Sequence, residues 1–271
     1  MTIAPPPQEV AAAFGAAGLA PSPVQGGQGV TFRIGDLAIK QCDDIEQAQW
    51  LAGVLEAVEE QGFRIARPVR ANTGCFVVNG WCATRWLDGT TTMEGEGRWY
   101  EAIEACRAFH RALRAVPHSP LLQRANNPYD QADAAVWAEW PQNLRIGPAA
   151  ERLRHRLRPI MLPSQLVHGD PSEGNLLFAP GKPPGIIDVA PYWHPADYGV
   201  AVLIADGIAW SHAPLGLLAN VADRPEMDQL LIRAVLFRLY VGYLFRGGEA
   251  AAEKRASAYA PVIQAIENWA K

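Results

Sequence analysis

The stretch from Leu166 to Asp188 limits what this chain can become more than any other part of it. It reads Leu166-Val167-His168-Gly169-Asp170-Pro171-Ser172-Glu173-Gly174-Asn175-Leu176-Leu177-Phe178 and, after a turn rich in Pro and Gly, Gly185-Ile186-Ile187-Asp188. Short apolar runs bounded by turn formers are the pattern of buried strands. The spacing predicts two short strands flanking a polar loop, with Asp170, Asn175 and Asp188 converging at one end of a small hairpin. Asp and Asn are common turn formers without any chemistry, but a plain turn does not account for the apolar runs on both sides.

Phosphoryl transfer from a nucleotide uses such a set. One carboxylate orients the attacking hydroxyl and accepts its proton, while a carboxamide and a second carboxylate hold Mg²⁺ on the triphosphate. Hard divalent ions take oxygen ligands, and Mg²⁺ usually takes only one or two from protein. The step from Asp170 to Asn175 matches the catalytic loop of protein kinases, with Gly169 where those carry Arg. Taken together, His168, Gly169, Asp170, Asn175, Ile187 and Asp188 resemble the signature of the aminoglycoside phosphotransferase and choline kinase-like family. The resemblance implies an α+β, two-lobe protein kinase-like fold. Residues 1–87 would form a small β-rich, nucleotide-binding lobe, and residues 88–271 a mainly helical catalytic and substrate lobe. It further implies ATP, or GTP, and Mg²⁺ as cofactors, Asp170 as the catalytic group, His168 as its brace, and Asn175 and Asp188 as metal ligands. The Pro5-Pro6-Pro7 and Ala12-Ala13-Phe14-Gly15 runs, Trp50 to Gly53 and Trp81 to Trp86 resemble an actinobacterial subgroup of that family.

The rest of the chain is read in order. Glu9 to Gly18 predicts a short helix. Gly26, Gly27 and Gly29 form a Gly-rich turn before a strand ending near Ile34, and Leu37 to Lys40 is the returning strand after Gly35-Asp36. Alone, this is an ordinary hairpin with a surface lysine. Within the resemblance, the glycines admit phosphates and Lys40 reaches the α and β phosphates. A helix follows from Ile45 to about Glu60, capped by Asp43 or Asp44. Kinase-like folds use an acid on this helix to hold the strand lysine. Glu46 and Glu56 are both candidates, and Gln47 stands about where the family often has Glu. Arg67 to Val69, Cys75 to Val78 and Trp81 to Trp86 predict strands, the last two joined by Asn79-Gly80 as a type I′ turn. In the resembling families the nucleotide base lies against the connection that follows, which places backbone groups of Arg85, Trp86 and Leu87 at the adenine edge.

Helices are predicted from Arg98 to Val116, within Tyr129 to Trp140, from Pro148 to Leu157, from Asp197 to Trp210, from Met227 to Phe245 and from Glu249 to Trp269. His110 reads as a core histidine, and Asp197 as a cap for the helix after it. Val189-Ala190 after Asp188 gives no protein-kinase activation segment.

Composition narrows the function classes. With 49% hydrophobic residues among 271, the chain can build a sizeable core, and a net charge of −4 disfavours a nucleic-acid binder driven by bulk charge. No long apolar run spans a bilayer and no signal peptide opens the chain, so the expected setting is cytoplasmic, with no membrane partner. The four cysteines, Cys42, Cys75, Cys82 and Cys106, lack paired spacing and read as reduced, buried thiols. There is no zinc-protease pairing, no serine-hydrolase elbow and no complete phosphate-loop motif. Three functions remain: an O-phosphotransferase acting on a small hydroxyl compound such as an aminoglycoside, sugar or amino alcohol; a kinase acting on a peptide hydroxyl; and a silent nucleotide-binding scaffold. A cationic substrate would need an acidic pocket, for which Asp206, Asp223, Glu226 and Asp228 are candidates, although a solvated surface is the ordinary fate of such acids.

Overall fold

The structure is a computed structural model that describes residues 4–24, 30–93, 95–122, 127–138 and 144–269. Its strands are β1 (Ser22–Pro23), β2 (Thr31–Ile34), β3 (Leu37–Gln41), β4 (Arg64–Ile65), β5 (Val77–Val78), β6 (Trp81–Arg85), β7 (Ser164–His168), β8 (Leu176–Leu177), β9 (Gly185–Ile186) and β10 (Pro191–Pro195). The helices are α1 (Gln8–Ala13), α2 (Ile45–Glu56), α3 (Glu96–Leu113), α4 (Pro128–Trp137), α5 (Pro148–Arg154), α6 (Tyr198–Trp210), α7 (Gly216–Ala219), α8 (Met227–Arg246), α9 (Glu249–Ala258) and α10 (Ala260–Trp269). They divide into two compact units, Met1–Thr92 with Gly174–Asp188, and Met93–Glu173 with Val189–Lys271.

In the first unit an antiparallel sheet runs in the order β1-β2-β3-β6-β5. Side chains alternate across a strand, so β3 and β6 sort their residues cleanly between two faces. Leu37, Ile39, Trp81 and Ala83 are buried against Val10, Ala11 and Phe14 of the α1 segment. Ala38, Lys40, Cys82 and Thr84 face the other way. Asn79 and Gly80 both take positive φ, 50° and 77°, as a type I′ turn requires. Asp44 caps α2, its carboxylate accepting the Gln47 N–H at 2.9 Å.

The cut expected at residue 87 does not coincide with this division, because residues 174–188 pack with the first unit. The physical reason is a strand pairing. β9 runs parallel to β4 and antiparallel to β8, so a three-stranded ribbon ties the distant segment in. The strand expected at Arg67 to Val69 is reduced to one antiparallel bridge, Pro68 opposite Thr84, with the Arg85 N–H on Arg67 O at 2.8 Å and the Val69 N–H on Ala83 O at 2.9 Å, because Pro68 has no N–H to extend the ladder.

The second unit is helical around α6 and α8. Val200 to Ala205 on α6 are all fully buried, as are Leu230, Leu231, Ala234, Val235 and Leu236 on α8. Helices apolar on every side belong in the middle of a core. The single helix expected from Glu249 to Trp269 is two, broken at Tyr259, where Pro261 cannot continue the preceding ladder and instead sits in the first turn of α10. β10 was not expected. It pairs antiparallel with β7, from Pro191 opposite His168 to Pro195 opposite Ser164. Among the described residues, no helix is long and apolar enough to cross a membrane.

Candidate active site

The motif residues fall on two strand pairs rather than the one hairpin expected. In the second unit, β7 delivers His168, Gly169 and Asp170. His168 is fully buried, and its Nδ1 accepts N–H groups from Asp170 at 3.3 Å and Ala190 at 3.1 Å. A ring nitrogen that accepts carries no proton, so this contact fixes the tautomer and ties the loop to the chain entering β10. Gly169 donates its N–H to Ala190 O at 2.9 Å, and a Cβ there would stand 2.2 Å from the Tyr192 ring. No other residue fits that space, which is the physical content of the Gly in His-Gly-Asp.

Behind the loop, His110 on α3 accepts the His168 N–H through Nε2 at 3.0 Å and donates from Nδ1 to Ala196 O at 2.7 Å. Burial brings its pKa down to about 4, so the ring stays neutral and both bonds persist at ordinary pH. This matches its reading as a core histidine.

Asp170 also meets a group that was not foreseen. Arg238, on α8 and only 8% exposed, donates to the Asp170 carboxylate. Its Nε donates to Asp206 Oδ2 at 3.0 Å and its Nη2 to the same oxygen at 2.5 Å, while Tyr259 donates to Asp206 Oδ1 at 2.5 Å and accepts from Trp210 Nε1 at 3.0 Å. Burial alone would lower the guanidinium, but Asp206 and Asp170 outweigh it and hold its pKa well above the usual value. A buried charge needs a partner, so Arg238 within an apolar helix and Asp206 within another were each a legible signal of a buried ion pair.

In the first unit, Asn175 immediately precedes β8 and Asp188 lies just beyond β9, so both stand at the open end of one hairpin, closed by Ile187 N–H to Asn175 O at 3.0 Å. Asp188 has φ of 52°, a left-handed conformation that Asp tolerates better than most residues. Lys40 makes an ion pair with the Asp188 carboxylate. Burial pulls the ammonium down, yet the charge and hydrogen bond of Asp188 prevail and leave its pKa raised.

Of the two acids proposed to hold Lys40, Glu56 is bidentate to Arg70 at 2.7 and 2.6 Å, because the Arg70 guanidinium matches a carboxylate fork. Glu46 stands exposed in the first turn of α2. Gly26, Gly27 and Gly29 lie outside the described residues. The Arg85 N–H donates to Arg67 O at 2.8 Å and the Trp86 N–H to Asp36 O at 2.7 Å, while Leu87 packs where a Cβ on Gly185 would have to go. Arg64, unremarked in the sequence, binds Pro183 O at 2.7 Å, Asp88 O at 3.2 Å and Leu177 O at 3.4 Å, and so ties this connection to the β8–β9 hairpin.

The acids considered for a cationic pocket serve the fold or lie outside it. Asp206 binds Arg238, Glu226 accepts the N–H groups of Met161 and Leu162, Asp228 pairs with Arg158, and Asp223 is exposed. Asp197 sits at the start of α6, but its carboxylate makes no cap and binds Arg107 and Arg224 instead. The cysteines also depart from expectation. Cys106 is buried, Cys75 is exposed, and Cys42 and Cys82 are half-buried neighbours.

Mg²⁺ fits the donor set on the β8–β9 hairpin. One carboxylate and one carboxamide are the small oxygen set Mg²⁺ takes beside a nucleotide, and among the described residues there is no larger cluster of His, Cys, Asp and Glu that would make an all-protein cage. The Lys40 ammonium already shows that Asp188 accepts a cation at one oxygen.

A sheet-based unit and a helical unit, with His-Gly-Asp on one strand pair and Asn and Asp on another, define a kinase-like phosphotransferase. The chain belongs to the phosphotransferase enzyme family, whose model matches residues 23–203. No curated protein matches it by sequence. Solved structures share the fold at low identity. A microcompartment-associated aminopropanol kinase aligns with a TM-score of 0.63 at 14% identity over 97% of this chain and 96% of its own. A thermostable mutant of the aminoglycoside phosphotransferase APH(4)-Ia, in ternary complex with ADP and hygromycin B, gives 0.62 at 14% identity over 96% and 97%. A choline/ethanolamine kinase family protein from Mesorhizobium loti gives 0.56 at 17% identity over 95% and 98%.

Proposed function

We propose that this enzyme transfers the γ-phosphoryl group of ATP or GTP to a hydroxyl of a small molecule. The observation that carries the reading is the Lys40–Asp188 pair at the open end of the Asn175–Asp188 hairpin. It keeps a phosphate-binding cation beside a carboxylate able to hold a metal. The first unit thus supplies the nucleotide groups. Lys40 meets phosphate oxygens, and Asn175 and Asp188 would hold Mg²⁺, which when bound neutralises charge on the phosphates. Because the N–H groups of Arg85 and Trp86 are already used, base recognition falls to their carbonyls and to Leu87.

The second unit supplies the acceptor group. Asp170 orients the hydroxyl and takes its proton, while His168 holds the loop and stays out of proton transfer. Small hydroxyl acceptors are supported by the similar structures, whose named ligands and activities include hygromycin B, spectinomycin and aminopropanol.

Thermal unfolding with ATP or GTP, with and without Mg²⁺, tests the reading. A ligand at a hundredfold its Kd adds about 2.7 kcal/mol to the folded state. A Mg²⁺-dependent rise in Tm that Asp188→Ala abolishes is the expected result. The absence of any rise with either nucleotide overturns it.

A further inference from the structure

The second unit holds a cavity of about 830 Å³ that no step of the phosphoryl transfer uses. It lies between the segment after α5, the start of α8 and the end of α10. The guanidinium groups of Arg156, Arg158 and Arg224 line it against one carboxylate, Asp228, on a chain whose net charge is −4. Met227, Ile232 and Ile266 close it with apolar side chains, and Trp269 adds a ring. On α8, Asp228 and the Arg238 that meets Asp170 are nearly three helical turns apart, about 15 Å along the axis.

The cationic wall is held from behind. Gln229, 2% exposed, accepts the Arg158 N–H at 2.7 Å and donates to Arg156 O at 3.1 Å. Arg233, 7% exposed, donates to Arg158 O at 2.8 Å and to Gln229 Oε1 at 3.1 Å. The main chain from 156 to 158 is therefore clamped to α8, and it presents Arg156 and Arg158 to the cavity from a fixed backbone.

The charges around that wall do not balance. Arg158 pairs with Asp228 at 2.5 Å, and Arg224 with Asp197 at 2.7 Å. Arg156 donates to a carbonyl, Glu267 O at 3.1 Å, while the Glu267 carboxylate is taken by Arg152 at 3.0 Å. Arg233 donates to neutral acceptors, and its buried Nε has no partner. Among the described residues, neither Arg156 nor Arg233 has a carboxylate partner. A buried charge without a counter-charge is unfavourable, and burial accordingly lowers the Arg233 pKa from its usual value. An anion in the cavity would supply the missing charge.

We propose that this cavity binds an organic phosphate, a phosphomonoester dianion on an apolar body, at a site apart from the catalytic loop. Guanidinium groups meet phosphate oxygens with paired donors, which gives Arg156 and Arg158 the phosphate. Trp269, Met227, Ile232 and Ile266 take the apolar body. The volume lies within the about 300–1,000 Å³ of small-molecule sites, which join an apolar lining to a few placed polar groups. The binding does not depend on the phosphotransferase reading.

The test is calorimetric titration of the full chain with 1-naphthyl phosphate, inorganic phosphate and 1-naphthol, each with and without Mg-ATP. The naphthyl phosphate should bind about tenfold or more tightly than either fragment, since it alone carries both the charge and the body. Arg158→Gln should weaken it by about tenfold or more and leave 1-naphthol unchanged. That side chain is 67% exposed, and Asp228 keeps the Gln229 Nε2 at 3.2 Å, so the variant should hold its Tm. In the wild-type chain, hydrogen exchange with naphthyl phosphate bound should slow in peptides covering 155–158 and 224–232. No binding of naphthyl phosphate, an affinity no better than that of 1-naphthol, or equal affinity in Arg158→Gln overturns the proposal. Displacement by Mg-ATP together with unslowed exchange in those peptides places the probe in the nucleotide site and overturns it as well. A chain that binds naphthyl phosphate here but gains no stability from Mg-ATP keeps this site and loses the nucleotide reading.

Discussion

Replacing Arg238 with Met tests how the second unit holds its catalytic loop. The guanidinium is shared between Asp206 and Asp170, with Tyr259 and Trp210 completing the chain of bonds. Arg238→Met keeps much of the apolar stem but leaves Asp206 buried with Tyr259 as its remaining donor in this chain of bonds. Removing one partner of a buried ion pair costs about 3–5 kcal/mol, because the orphaned charge stays behind. Tyr259→Phe removes a single hydrogen bond to a charged group and should cost about 1.5–3 kcal/mol. Removing both charges in Arg238→Met/Asp206→Leu should recover much of the single-mutant loss, since no unpaired buried ion then remains at that pair. Urea unfolding followed by tryptophan fluorescence reads these three variants and Asp206→Leu alone. If Arg238→Met costs under about 1 kcal/mol, or if the double variant loses the sum of its singles, the network is not a coupled buried charge system and the reasoning fails.

Two further outcomes follow from the same unit. His110 folds with its pKa lowered from 6.5 to about 4, so the unfolded chain binds the proton more readily. Its contribution is complete above about pH 6.5 and is lost as pH falls toward 4, by about 3 kcal/mol in total. His110→Gln should flatten urea midpoints measured between pH 7 and pH 4.5, and an unchanged slope refutes the assignment. Gly169→Ala should lower Tm and any phosphoryl transfer by forcing the Tyr192 ring aside, and Tyr192→Ala in the same chain should restore Tm. No rescue would mean that the glycine is needed for something other than that contact.

Much of the architecture was legible because it rests on local rules. The alternation of β3 and β6, the Asn79-Gly80 turn, the Asp44 cap and the ends of α6 and α8 each follow from a few neighbouring residues. The motif was legible for a different reason: chemistry fixes its residue types and spacing. Long-range pairing was not. Nothing within Gly185-Ile186 announces that it will pair with Arg64-Ile65, nor within Pro191–Pro195 that it will pair with β7. Two prolines made that last stretch look like loop, although as the outer residues of a two-stranded ribbon they need no ladder donors of their own. The partner of Lys40 was sought on α2, where a helical acid is expected, and the structure gives it Asp188. Asp206 was read as a pocket candidate and its pairing with Arg238 was missed, although each is a charge in an apolar helix, a local pattern that calls for a buried partner but does not say which one.

The inclusion of Gly174–Asp188 in the first unit has a consequence for how this chain can be cut. A gene fragment ending at Thr92 would not encode that unit. It would omit the ribbon that β4 joins and the carboxylate that Lys40 holds. The two units are interleaved in sequence, and two of the three places where the chain changes unit, after Glu173 and after Asp188, lie within or at the end of the motif. Neither unit is a single uninterrupted segment, and separating the two divides Asp170 from Asn175.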